Sequence, residues 1–169
     1  RKRGVDASVF DVSEKSLPYE KGFFDLVFCG DVIEHIYDTE SLLENIRAVL
    51  KPGGLLIATV PNIASWYNRG FLLIGWLPTW VESASRVYTG NPFMKESVGH
   101  IRAYTKKSLR ELLIYLGFSK IRIKGSPLLG NGEYSKNQEM LWNLIDGLLS
   151  RKVSMASELV VCATKPNKR

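Results

Sequence analysis

Apolar positions along the chain fall into distinct patterns, and each predicts an element. Phe24-Asp25-Leu26-Val27-Phe28-Cys29 and Leu55-Leu56-Ile57-Ala58-Thr59-Val60 are nearly continuous apolar runs, as strands of a parallel sheet covered on both faces require. Both are expected to be central strands. Between them Leu42, Leu43, Ile46, Val49 and Leu50 recur at the spacing of one helical face. Asp38 or Thr39 is the candidate N-cap, and Lys51-Pro52-Gly53-Gly54 is the stop signal. The unit is a strand-helix-strand crossover.

Further along, Thr105 is a candidate cap for a helix carrying Leu109, Leu112, Leu113 and Leu116 on one face, with Gly117 placed to end it. Ile121-Arg122-Ile123-Lys124 alternates as a strand with one wet face, and residues 158–163 form another buried run. These two are expected to pair as an antiparallel edge. Met140, Leu141, Leu144, Ile145, Leu148 and Leu149 make a helical stripe after the turn-rich Gly130-Asn131-Gly132, which predicts a core helix. At the start, residues 7–12 predict a short strand ending near Asp11, with a polar turn over 13–16. Residues 62–99 are long, aromatic and irregular, holding Trp66, Tyr67, Phe71, Trp76, Trp80, Tyr88 and Phe93. An insert of this length after a strand is often a lid.

Composition adds modest constraints. A chain of 169 residues, 45% hydrophobic and 24% charged, fits one soluble globular domain. The formal charge of +6 suits nucleic acid or an anionic surface, but part of the excess lies at the ends, in Arg1, Lys2, Arg3, Lys165, Lys168 and Arg169. With no arginine-rich helix or RNA-binding module, nucleic acid is not the expected partner. Cys29 and Cys162 lie inside apolar runs, which predicts reduced thiols and a cytoplasmic location. The greasiest stretch, 71–81, is broken by Gly75 and Pro78 and is too short to span a bilayer, leaving peripheral membrane contact as its expected reach.

Several short motifs occur in order: Leu17-Pro18-Tyr19, Phe24-Asp25-Leu26-Val27, Asp31-Val32-Ile33-Glu34-His35, Leu50-Lys51-Pro52-Gly53-Gly54, Val60-Pro61-Asn62 and His100-Ile101-Arg102-Ala103-Tyr104-Thr105. The set closely resembles class I methyltransferases dependent on S-adenosylmethionine, among them ubiquinone-biosynthesis O-methyltransferases and methyltransferase-like proteins of methionine biosynthesis. The resemblance implies an α/β, Rossmann-like sheet of seven strands in the order 3-2-1-4-5-7-6, with the last strand antiparallel. The strands found here would be the third to the seventh. The first two, which carry the family's glycine-rich cofactor loop and the acid that binds the ribose, are missing from this chain. Residues 1–169 are thus expected to be a partial, N-terminally truncated methyltransferase domain that alone binds S-adenosylmethionine weakly or not at all.

For the cofactor, the resemblance implies that Asp11 accepts from the adenine amino group, with Val12 beside the ring, and that Cys29, Gly30 and Asp31 line the methionine part. An ordinary turn or cap aspartate is the other reading of Asp11. In Asp31-Val32-Ile33-Glu34-His35, positions three and four apart share a face in a helical turn, so two carboxylates and an imidazole converge. Such a trio can hold a divalent metal. It is similar to the Glu-x-x-Glu-His motif of ubiquinone-type O-methyltransferases and small-RNA 2′-O-methyltransferases, with Asp31 in place of the first Glu, and His100 matches a further histidine of the RNA enzymes. The resemblance implies Asp31, Glu34, His35 and His100 as ligands, with magnesium as the metal. Asp31 is shorter by one methylene and retreats from the coordination distance of about 2.0–2.2 Å. Without metal, His35 and Glu34 are the catalytic candidates, His35 taking a proton from the acceptor; otherwise Glu34 and His35 cap a helix or pair with Arg102.

The function implied is methyl transfer from S-adenosylmethionine, acting on a hydroxyl of a small or lipid-like acceptor beneath the 62–99 insert. Two other functions stay open: a catalytically inactive methyltransferase-like binding module, and a metal-dependent RNA 2′-O-methyltransferase.

Overall fold

The structure, a computed structural model, describes residues 4, 6–13, 16–94, 96–128 and 136–167. The first apolar run forms β1 (Phe24–Gly30), a 3₁₀ turn (Ile33–His35) follows, and the first amphipathic stripe forms α1 (Thr39–Val49). Asp38 is its N-cap, and its carboxylate accepts from the Ser41 backbone N–H, satisfying a donor that a helix start otherwise leaves bare. β2 (Leu50–Pro61) is the longest strand and takes in the Lys51-Pro52-Gly53-Gly54 segment. Next come α2 (Trp66–Leu73), α3 (Lys106–Tyr115), β3 (Ser119–Ser126), α4 (Lys136–Leu149) and β4 (Glu158–Thr164). Thr105 and Ser108 form a reciprocal capping box at the start of α3.

The strands lie in the order β1-β2-β4-β3. β1 and β2 are parallel, whereas β4 runs antiparallel to both β2 and β3. This is the expected order 4-5-7-6 with the last strand reversed. One face of the two middle strands is fully buried: Leu56, Ala58 and Val60 of β2 and Leu159, Val161 and Ala163 of β4 are at most 1% exposed, packed with Leu42, Leu43 and Ile46 of α1 and Leu109 and Leu113 of α3. Each of the leucine, isoleucine and valine side chains among them contributes about 1.5–3 kcal/mol of burial.

Three expectations need correction. Residues 7–12 do not pair as a strand, and Val9 is fully exposed; an extended segment is held only where a neighbour takes its backbone hydrogen bonds. β1 is accordingly not central but an edge of the described sheet, and Leu26 and Phe28 are 45% and 65% exposed. α4 is not a core helix: Met140, Leu141, Leu144, Ile145 and Leu148 face solvent, while Asp146 and Ser150 are buried. The irregular insert also contains α2. The Gly130-Asn131-Gly132 turn, residues 14–15 of the 13–16 turn, and the terminal Arg1, Lys2, Arg3, Lys168 and Arg169 lie outside the described residues.

Candidate active site

The carboxyl ends of β1 and β2 point the same way, the place where open parallel sheets collect ligands. After Gly30 the chain leaves the sheet through Asp31, whose φ of 49° lies in the left-handed region. The 3₁₀ turn then places Glu34 and His35. The segment 100–104 comes alongside the end of β2: the Ile63 N–H donates to the Tyr104 carbonyl, and the Glu34 carbonyl accepts from the backbone N–H groups of Ile101 and Arg102. These bonds bring His100 to Glu34 and His35.

Ligand atoms of Glu34, His35 and His100 lie within 4.8 Å of one another. Glu34 is 1% exposed, and neither carboxylate oxygen has a hydrogen-bond partner among the described residues. His100 Nε2 stands 4.0 Å from Glu34 Oε1, and the two imidazole centroids are 4.6 Å apart. His35 Nδ1 is 3.0 Å from the Gly99 carbonyl, and His100 Nδ1 is 3.3 Å from the Trp80 carbonyl. A carbonyl only accepts, so each contact puts a proton on Nδ1, and in the neutral ring Nε2 is then the lone-pair nitrogen. Burial, and then the neighbouring His35, holds His100 below the ordinary histidine pKa, which favours its neutral ring. Burial, and then the Asp31 charge, raises the Glu34 carboxyl above its ordinary range. Bare imidazole nitrogens beside an unpartnered carboxylate call for a proton or a cation.

The donor set can be tested against an ion. Metal-binding histidines usually donate their other ring N–H to a carbonyl or carboxylate, as both rings here do. A cavity of about 10 Å³, bordered by Glu34, Trp80, His100 and Arg102, adjoins the group, roughly the room of one water. Two imidazoles and one carboxylate suit zinc or another borderline transition ion; magnesium prefers oxygen ligands and retains its waters. The residues therefore fit a divalent ion.

Asp31 is not in this group. Its carboxylate accepts from the Thr59 hydroxyl at 2.9 Å and its N–H donates back to that oxygen at 3.1 Å. Across the sheet, burial and then Asp31 raise the Glu158 carboxyl above its ordinary value. Cys29 is buried in the core, its thiol pushed up to about 11 by burial and then by the Glu34 and Asp31 charges, so it is a protonated thiol rather than a nucleophile. At Gly30 the Phe28 ring lies across the strand end, so close that a Cβ there would meet it at 2.7 Å. Asp11 is exposed, its carboxylate accepting from the Ser13 N–H and hydroxyl in a local turn, while Val12 packs against the core.

The insert reaches the site through residues the motifs do not include. One Glu82 carboxylate oxygen accepts from the backbone N–H groups of Val98, Gly99 and His100 at 2.7, 2.8 and 3.1 Å. Partial burial opposes ionisation, yet these donors prevail and hold the Glu82 carboxyl below its ordinary pKa. Trp80, at φ 68°, aims its carbonyl at His100 and sets its ring against the imidazole. The available signal was that Glu82 is the only acidic residue between Glu44 and Glu96. Elsewhere the insert's aromatic side chains pack on one another and on Trp142 of α4.

Comparison with known proteins places this architecture. The profile of the family described as "Methyltransferase domain" matches residues 1–123. A ubiquinone biosynthesis O-methyltransferase of Bradyrhizobium sp. (strain ORS 278) is 27% identical over 129 residues, covering 62% of this chain and 51% of that protein. A demethylmenaquinone methyltransferase of Oceanobacillus iheyensis is 26% identical over 112 residues, covering 64% of this chain and 46% of that protein. The chain spans about half the length of these curated relatives. Among solved structures, a SAM-dependent methyltransferase of Thermotoga maritima superposes with a TM-score of 0.61 at 18% identity, covering 97% of this chain and 66% of the other. That likeness is one of fold.

Proposed function

The chain belongs to the methyltransferase-domain family of class I, S-adenosylmethionine-dependent proteins, and from that membership we propose that the complete protein transfers a methyl group to a hydroxyl of a small or lipid-like acceptor. The observation that carries the proposal is the meeting of Glu34, His35 and His100 beside the carboxyl ends of the parallel strands, both Nδ1 atoms turned to carbonyls. S-adenosylmethionine, when bound, supplies a methyl group on a sulfonium that is already a good leaving group. The work left to the protein is to align the acceptor and manage its proton.

His35 is the proposed base. With Nδ1–H spent on Gly99, Nε2 can take the hydroxyl proton as the oxygen gains its methyl. A divalent ion held by Glu34, His35 and His100 would instead lower the hydroxyl's pKa and orient it. Both roles use the same His35 nitrogen, and chelation separates them. Asp31, Gly30 and Cys29 are the proposed wall toward the methionine part of the cofactor, and Asp11 and Val12 the side toward adenine. Two relatives are named for ubiquinone and menaquinone chemistry, which supports a lipid-like acceptor. The 62–99 insert is proposed to cover it, with Leu72, Leu73 and Ile74, all more than half exposed, dipping into a membrane surface that presents it.

Calorimetric titration of the complete reading frame tests the proposal. S-adenosylmethionine is expected to bind, and zinc to bind the parent but not Glu34→Gln or His100→Ala. No cofactor binding by the complete protein sinks the proposal; cofactor binding without zinc binding leaves His35 as a metal-free base.

A further inference from the structure

We propose that Glu82, carried by the insert, is the positioning residue of the histidine pair. The inference builds on the assignment of His35 and His100 to the working site, but its spectroscopic arm stands without the ion. Three consecutive backbone N–H groups, of Val98, Gly99 and His100, donate to one Glu82 oxygen. Successive N–H groups turned to one point form a nest for an anion, and here the anion belongs to the protein. Fixing that backbone has two results. It aims the Gly99 carbonyl at His35 Nδ1, setting that ring's tautomer, and it fixes the backbone from which the His100 side chain projects toward Glu34.

The Trp80 carbonyl, two residues before Glu82, closes the same circuit by accepting from His100 Nδ1. The tautomers of both imidazoles therefore depend on the stretch 80–82, far from them in sequence. Partners that orient a ligand in this way typically alter metal affinity by about 10–100-fold when removed. Glu82 touches neither Glu34 nor a reacting atom in this arrangement; it acts through the backbone. The insert thus serves as part of the site's frame as well as its cover.

The test uses the complete protein, stripped of metal, with Glu82→Ala, Glu82→Gln and Glu82→Asp. Long-range ¹H–¹⁵N spectra of the imidazoles should show Nδ1–H tautomers for His35 and His100 in the parent. Glu82→Ala should average the two tautomers, while Glu82→Gln, whose amide oxygen still accepts the backbone N–H groups, should largely restore the parent spectrum. If Glu82→Ala fails to fold, Glu82→Asp, with a shorter reach, should show a partial loss. Cobalt, followed by its visible absorption, should bind Glu82→Ala at least tenfold more weakly than the parent. Parent-like histidine spectra in folded Glu82→Ala or Glu82→Asp overturn the proposal. Averaged tautomers in a protein whose parent binds no cobalt uphold it while removing the ion from the site.

Discussion

In the half of the molecule built on β2 and α1, apolar side chains turn inward: Leu42, Leu43, Ile46 and Val49 are at most 3% exposed. Along α4 the order reverses, with Met140, Leu141, Leu144 and Leu148 each more than half exposed and Asp146 at 0%. Both helices show a strong apolar stripe in sequence. The contrast teaches that periodicity identifies a helix and its stripe, whereas polar partners can decide which side is buried. For α4 the deciding residue is Asp146, whose carboxylate accepts from Trp66 Nε1, the Leu128 N–H, and the hydroxyls of Ser150 and Ser157. A buried carboxylate so fully supplied with donors is tolerated inside, and it ties α4 to both the insert and the edge of β4.

The largest effect should come from breaking that tie. Asp146→Ala takes the acceptor from two buried hydroxyls and two half-buried N–H groups and is expected to destabilise by about 4 kcal/mol in urea unfolding; a loss under about 1 kcal/mol would show that Asp146 does not hold α4. Next, Leu43→Ala, at 0% exposure, should lose about 3 kcal/mol to the cavity it leaves.

A smaller effect concerns pH. Glu34 has a raised carboxyl pKa through burial and then Asp31, so the metal-free folded state holds its proton longer than the unfolded chain does. Its contribution to stability is therefore present at low pH and declines as pH rises from the ordinary carboxyl value toward the raised one. Glu34→Gln should flatten that decline. His100 works in the opposite sense: its lowered pKa makes stability fall as pH drops from the ordinary histidine value toward the folded one, a fall that His100→Gln removes. Unfolding free energies across pH 4–8, measured in chelator, check both. The smallest effect belongs to the exposed stripe, where Leu144→Ala should change stability by no more than about 0.5 kcal/mol; a loss comparable to that of Leu43→Ala would mean that α4 is packed after all.

Much of the sheet half was legible because its signals are local and agree with one another. Asp38 and Thr105 cap where their side chains can reach a free N–H, and two apolar runs became β2 and β4 in the expected order. The site was legible in part. Glu34, His35 and His100 do come together, but Asp31 stands apart because the chain takes a left-handed step there and begins its helical turn only at Ile33, so helical spacing from Asp31 does not hold. Glu82 stands out only as an isolated acid, since its partners are backbone N–H groups present in every non-proline residue. The burial of Asp146 likewise depends on Trp66 and Ser157, distant in sequence.

His35 is proposed to work on the acceptor side of a methyltransferase site, apart from cofactor binding. Its most direct test is single-turnover transfer of labelled methyl from S-adenosylmethionine to an alkyl phenol in lipid vesicles, comparing the complete protein with His35→Gln. The variant should transfer methyl at a rate at least about 100-fold lower, with the dissociation constant for S-adenosylmethionine unchanged. Equal rates in the two proteins, or loss of cofactor binding in the variant, would contradict it.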